Sequence, residues 1–118
     1  MTNYKATQCI KRLYADCDGL KLDHFQTAQR VDEALSIYTQ IRERKNHFVV
    51  HTLLRLGLHF RGSDAILPVI WEDLKALKCS LSFPLLMRCC VEAPSFPISR
   101  TLKVLKWAKR RGLKLSDL

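Results

Sequence analysis

No apolar run in these 118 residues approaches the roughly 18 that a helix needs to cross a membrane, which excludes a membrane span. Period-2 alternation bounded by turn dipeptides is missing too, and with it any strand signal. The five cysteines, Cys9, Cys17, Cys79, Cys89 and Cys90, include no Cys-x-x-Cys pair, so a zinc grip of that type is excluded. Their odd number suits reduced, mostly buried thiols of an intracellular protein. Adjacent Cys89 and Cys90 cannot easily face one another on a helix. The chemistry of catalysis is equally thin. There is no Gly-rich phosphate loop and no nucleophile elbow, and Asp16, Asp18 and Asp23 are too loosely arranged around Gly19 to hold a metal. His47 and His51 have the four-residue spacing of helical metal ligands, without a Glu neighbour or a third ligand. The expectation is therefore no enzyme activity, no cofactor, no metal and no small-molecule substrate.

Acids are the scarce charge: 11 Asp/Glu stand against 20 Lys/Arg, a net charge of +9. The excess is uneven, with eight bases and six acids over residues 1–47 but twelve and five over 48–118. Arg100 to Leu118 alone holds seven bases and one acid. A localised basic stripe implies a polyanionic or acidic partner. Lys103, Lys106 and Arg110 share one helical stripe, flanked by Arg100 and Lys109, and are candidate phosphate contacts. The first 15 residues carry Lys5, Lys11 and Arg12 with no acid, and no apolar signal-peptide block.

Hydrophobic content of 47% excludes a disordered chain, and this length suits one domain with a modest core of its own. The informative stretch is "AQRVDEALSIYTQIRERK", residues 28–45. Ala34, Leu35, Ile37, Tyr38 and Ile41 recur at three- and four-residue steps, the pattern of a helix with one buried face. Thirty-three residues on, Leu67, Ile70, Trp71 and Leu74 fall in the slots of Ala34, Ile37, Tyr38 and Ile41. Thirty-four further on, Thr101, Val104, Leu105 and Ala108 fill them again, with Gly112 closing the helix. A period of this size marks a helical-repeat array, in which each hairpin leaves an apolar face for the next to cover.

Six helices in three hairpins follow. The first runs over "YKATQCIKRLYADC", with Ala6, Ile10, Leu13 and Cys17 on one stripe and Gly19 stopping it. Asp23 caps the second, with Gln26 completing a capping box, and that helix carries on to Lys45. "VVHTLLRLGLHF" is the third, burying Val50, Leu54, Gly57 and Leu58. Gly62 is its left-handed C-cap and Ser63 an N-cap, while Pro68 delays the regular fourth helix to its own position. Ser82 caps the fifth, which Pro94 ends, and the sixth begins near Pro97 and runs to Arg111. Tyr38 and Trp71, in equivalent slots, are core packing. The expected fold is all-α, a single helical-repeat domain with hairpins at about 3–46, 48–82 and 83–115. "SLSFPLLMRCCV" is apolar nearly all round, which suggests a segment of a longer array.

"FVVHTLLRLGLHFRGSDAILPVIWEDLKALKCSLS", residues 48–82, resembles a pentatricopeptide repeat, as does "VDEALSIYTQIRERK" its second helix; the likeness covers about 28–115. The rival likeness is the tetratricopeptide repeat, suggested by Leu56, Gly57 and Phe60, although Gly62 then falls about two residues early. The pentatricopeptide resemblance implies a short right-handed α-solenoid that binds single-stranded RNA, about one base per repeat, in mitochondria or plastids. It implies Val49 as the base-sandwiching aliphatic, and Thr52 and Ser82 as the base-reading pair. In the next repeat the reading place falls on Met87, which has no donor for a base edge. Organellar RNA processing, stability or translation is the expected role. The alternative is a repeat array that has become a protein-protein adaptor or structural subunit of an organellar assembly.

Overall fold

Helix ends are where local chemistry is most visible, and they fix the architecture. The computed structural model describes residues 1–16, 21–77 and 82–113. Among these there are six helices and no strand: α1 (Asn3–Asp16), α2 (His24–Thr39), α3 (His47–His59), α4 (Ser63–Leu77), α5 (Phe83–Val91) and α6 (Ile98–Arg110). The fold is all-α, as expected. Cys17, Gly19 and Cys79 lie outside the described residues.

The capping box at α2 forms as read. Asp23 Oδ1 accepts from the Gln26 backbone N–H at 2.7 Å, and Gln26 Oε1 accepts from the Asp23 backbone N–H at 3.2 Å. Three other boundaries differ from the sequence reading. The second helix stops at Thr39 and not Lys45, because Asn3 ties down the segment that follows. Asn3 Nδ2 donates to Glu43 Oε1 at 2.9 Å and to the Arg44 carbonyl at 2.7 Å, and its Oδ1 accepts from the Asn46 backbone N–H at 3.1 Å. Asn46 in turn caps α3 by accepting from Val49 N–H at 3.1 Å. These bonds exchange a helical turn for a fixed bend between α2 and α3.

At the next turn Arg61, not Gly62, takes the left-handed conformation, with φ of 53°. Gly62 serves a different need: a Cβ there would sit 2.5 Å from Val31 Cγ2, so the glycine lets α2 approach the turn. Ser63 is not a cap either. The Gly62 carbonyl accepts from Ile66 N–H at 3.1 Å, which places Ser63 inside the helix with its hydroxyl buried near the Cys89 thiol. The fourth helix therefore begins five residues before Pro68. Pro68 removes one bond, to the Asp64 carbonyl, and its exposed position leaves that carbonyl open to water. At the end of α6, Gly112 has φ of +76° and closes the helix as read.

Packing repeats as the helices do. The first helices of the hairpins form one layer, with α1 against α3 and α3 against α5, while α2 and α4 pack in a second layer. Each hairpin also closes on itself, α1 on α2, α3 on α4 and α5 on α6. Slot residues make equivalent contacts to the following hairpin: the Tyr38 hydroxyl of α2 donates to Asp73 of α4, and Trp71 of α4 stacks on Trp107 of α6 with ring centroids 5.4 Å apart. That is a helical repeat-like fold. The middle hairpin supplies the largest share of the core, with Val50, Leu53, Leu54, Ile66, Ile70 and Leu74 wholly or almost wholly buried, because it is covered from both sides. The buried positions of α3 recur in α5 at a step of 33 residues, Val50 with Phe83, Leu53 with Leu86 and Leu56 with Cys89.

Candidate nucleic-acid interface

The first helices share one electrostatic peculiarity. Asp16 is the single carboxylate in the sequences of α1, α3 and α5, which between them carry Lys5, Lys11, Arg12, Arg55 and Arg88 together with three histidines. The acids lie instead on the second helices, Asp32 and Glu33 on α2 and Asp64, Glu72 and Asp73 on α4. Two acids there pair with neighbours on their own helix, Glu33 with Arg30 and Glu72 with Lys75. In the first two hairpins the acids therefore gather on the second helices and the first helices are left positive, while α6 of the third hairpin is basic and carries no acid.

That layer also presents rings. Tyr4 of α1 is 75% exposed and Phe48 of α3 is 62% exposed, values that core packing does not explain. Phe48, Thr52, Arg55 and His59 fall at steps of four, three and four, so they form one stripe along the outward face of α3. Exposed rings and cations on one layer are features that single-stranded nucleic acid uses, rings for base stacking and cations for phosphate. His51 belongs to the same face, and burial, then the charges of Arg55 and His47, push its pKa below the ordinary histidine value. The fold therefore disfavours a charge on His51.

The residues assigned by family resemblance are dispersed across this geometry. Val49 is fully buried and offers no surface; its exposed neighbour is Phe48. Thr52 is half-buried and donates its hydroxyl proton to the Phe48 carbonyl at 2.8 Å, which leaves it acceptor capacity toward a base. Ser82 is exposed at the N-cap of α5, where its side chain makes no capping bond. Met87 is half-buried against the core, and the 33-residue step of the buried positions puts Leu85 in the place of Thr52. On α6, Lys103, Lys106 and Arg110 are exposed along the expected stripe. Arg100 is engaged elsewhere, its guanidinium 5.4 Å from the Trp71 ring centre and 5.8 Å from that of Phe96.

Sequence reasoning missed the group that the first helices bring together. Tyr14 of α1 lies 4.6 Å from the His59 ring of α3, and the Arg55 guanidinium lies 5.9 Å from the Tyr14 ring centre. Arg88 of α5 lines the same recess. A signal existed: Arg88 follows Arg55 by the 33 residues that also separate the buried positions.

Among the described residues no three His, Cys, Asp or Glu side chains cluster as metal ligands, and no helix is long and apolar enough to cross a membrane. The Cys89 thiol donates to the Leu54 carbonyl at 3.5 Å, and burial pushes its pKa up to about 12, so it is inert packing between α3 and α5. The chain matches no family model, no curated protein and no solved structure.

Proposed function

We propose that this chain binds single-stranded RNA along the face made by α1, α3 and α5. One observation carries the reading: the three first helices are basic and, apart from Asp16, free of carboxylate, although acids are plentiful on α2 and α4. A polyanion gains from such a face because every neutralised phosphate releases counterions, and the bases of these helices outnumber their one acid, Asp16. Tyr4 and Phe48 add ring surfaces for unstacked bases. In this reading the hairpins make a short right-handed α-solenoid of pentatricopeptide type, Thr52 and Ser82 are the polar groups nearest the bases, and the work is organellar RNA processing, stability or translation. The chain binds and does not catalyse, and it needs no cofactor.

The test is a fluorescence-anisotropy titration of the whole chain with random single-stranded RNA and matched DNA at about 50 and 200 mM salt. RNA should bind more tightly than DNA and lose affinity with salt. A Thr52→Ala, Ser82→Ala variant should alter base preference, whereas Lys103→Glu, Lys106→Glu, Arg110→Glu on α6 should have the smaller effect on affinity. Absence of RNA binding at the lower salt sinks the proposal, and so does binding that only the α6 variant abolishes.

A second reading, a helical-repeat adaptor that holds a protein partner in an organellar assembly, rests on the last hairpin. Val91 and Ile98 are 78% and 77% exposed there, beside exposed Leu102, an apolar surface of the sort that interfaces cover. This reading takes over where RNA fails to bind.

A further inference from the structure

Three first helices meet at one small recess whose chemistry differs from the rest of the surface. Tyr14, Arg55, Leu58, His59, Leu85 and Arg88 enclose about 300 Å³. That is the lower end of the volumes that small-molecule sites occupy, enough for one nucleotide and too little for a large cofactor. Leu58 and Leu85, both packed against the core, supply its apolar lining. One wall is a pair of rings, Tyr14 and His59, tilted at 51° with their centres 4.6 Å apart. The rim holds two guanidiniums, and among the described residues neither forms an ion pair with a carboxylate. In the free chain water solvates both exposed cations, and a phosphate with a planar base attached matches the cations, the rings and the leucine side chains of this recess.

The geometry points to a nucleotide seat in this recess: one phosphodiester of single-stranded RNA held between Arg55 and Arg88, with its base laid against the Tyr14 and His59 rings. The inference rests on the RNA-binding reading and sharpens it to one place. Arginine suits the role because its planar fork meets two phosphate oxygens at once, which a lysine does not. Arg55 and Arg88 hold the same position in successive hairpins, and the one seat uses both. The bridged phosphate therefore spans the junction of α3 and α5, and the Tyr14 ring reaches it from α1.

Labelled 12-nucleotide oligo(U) and oligo(A) RNA, titrated against the whole chain over a salt series, test the seat. An Arg55→Gln, Arg88→Gln variant should bind more weakly, with the slope of log affinity against log salt shallower by about 0.7, the value for one phosphate on a single strand. Arg55→Lys, Arg88→Lys should keep the wild-type slope and still bind more weakly, because charge is retained and the fork is lost. Tyr14→Leu should weaken binding at least about fivefold without changing the slope. Circular dichroism melting of each variant controls for folding, and the exposure of both arginines favours intact folds. RNA binding with unchanged affinity and slope in the Gln variant overturns the seat and leaves the first-helix reading standing. Wild-type affinity in Tyr14→Leu removes the base from the seat. Failure of the unaltered chain to bind either RNA overturns the seat and the broader reading together.

Discussion

The two seams between hairpins do the same job with opposite chemistry. Between the first and second hairpins, α2 meets α4 through a polar contact, the Tyr38 hydroxyl on the Asp73 carboxylate, supported by the close approach of Val31 to Gly62. Between the second and third, the equivalent slot holds Trp71, stacked on Trp107 and edge-on to Phe96 at 5.6 Å, with Arg100 laid over it. A hydrogen bond in partial contact with water contributes little net stability, whereas a buried aromatic cluster contributes through area and dispersion. The repeat fixes where neighbouring hairpins touch, and the residue in the slot decides how strongly.

The largest expected effect follows from the aromatic seam. Trp71→Ala removes a side chain that is 5% exposed and leaves a cavity facing Phe96 and Trp107, which should cost about 3–5 kcal/mol in urea unfolding. The same truncation should remove the Trp71 ring from Arg100 and leave it the Phe96 ring. A loss below about 1 kcal/mol would mean that the third hairpin is held by α5 against α3 and not by the tryptophan stack.

A smaller effect tests the polar seam through its backbone. Gly62→Ala places a methyl group 2.5 Å from Val31 Cγ2, and valine is a β-branched residue with few rotamers to escape into, so about 1–3 kcal/mol should be lost. At Gly57 an added Cβ would meet the Ile66 Cδ1 terminus at 2.9 Å, a flexible end that can turn away. Gly57→Ala should therefore cost less than Gly62→Ala in the same unfolding assay. The reverse order would show that the α3–α4 contact, and not the approach of α2, limits packing.

What was legible in the sequence is whatever recurs or acts locally. The slots at Tyr38 and Trp71 recur at the 33-residue period, the apolar stripes of α3 and α4 and the Asp23 capping box depend on residues within a few turns of one another, and apart from Leu58, which is only half-buried, they stand as read. The misread features are long-range. The end of α2 is set by Asn3, and the absence of a side chain at Gly62 answers to Val31 on another helix, so neither shows in a local pattern. The candidate site divides in the same way. The resemblance located Thr52 and Ser82 on the surface but also named Val49, which the flanking helices bury completely. The recess at Tyr14, Arg55 and Arg88 requires three helices to be neighbours, and its one sequence trace was an arginine repeated at the period of the core.

The smallest effect separates the two seams by pH. Tyr38→Phe keeps the ring and deletes the bond to Asp73, which is half-buried and can recover water, so the loss near neutral pH should be about 1 kcal/mol. Burial, then the bond to Asp73 and its charge, raise the Tyr38 pKa far above the ordinary phenol value of about 10. The folded chain therefore keeps this proton where the unfolded chain releases it. The resulting stability is complete below pH of about 10 and falls as pH rises beyond it, by at most about 1.4 kcal/mol per unit. Cys89, raised to about 12 by burial, loses stability in the same direction starting near pH 9, but equally in wild type and variant. The difference between the two proteins should thus hold steady to pH of about 9 and shrink toward zero near pH 11. A difference that stays constant across that range would mean that Tyr38 ionises in the folded state as easily as in the unfolded one, so that its bond to Asp73 does not hold the proton.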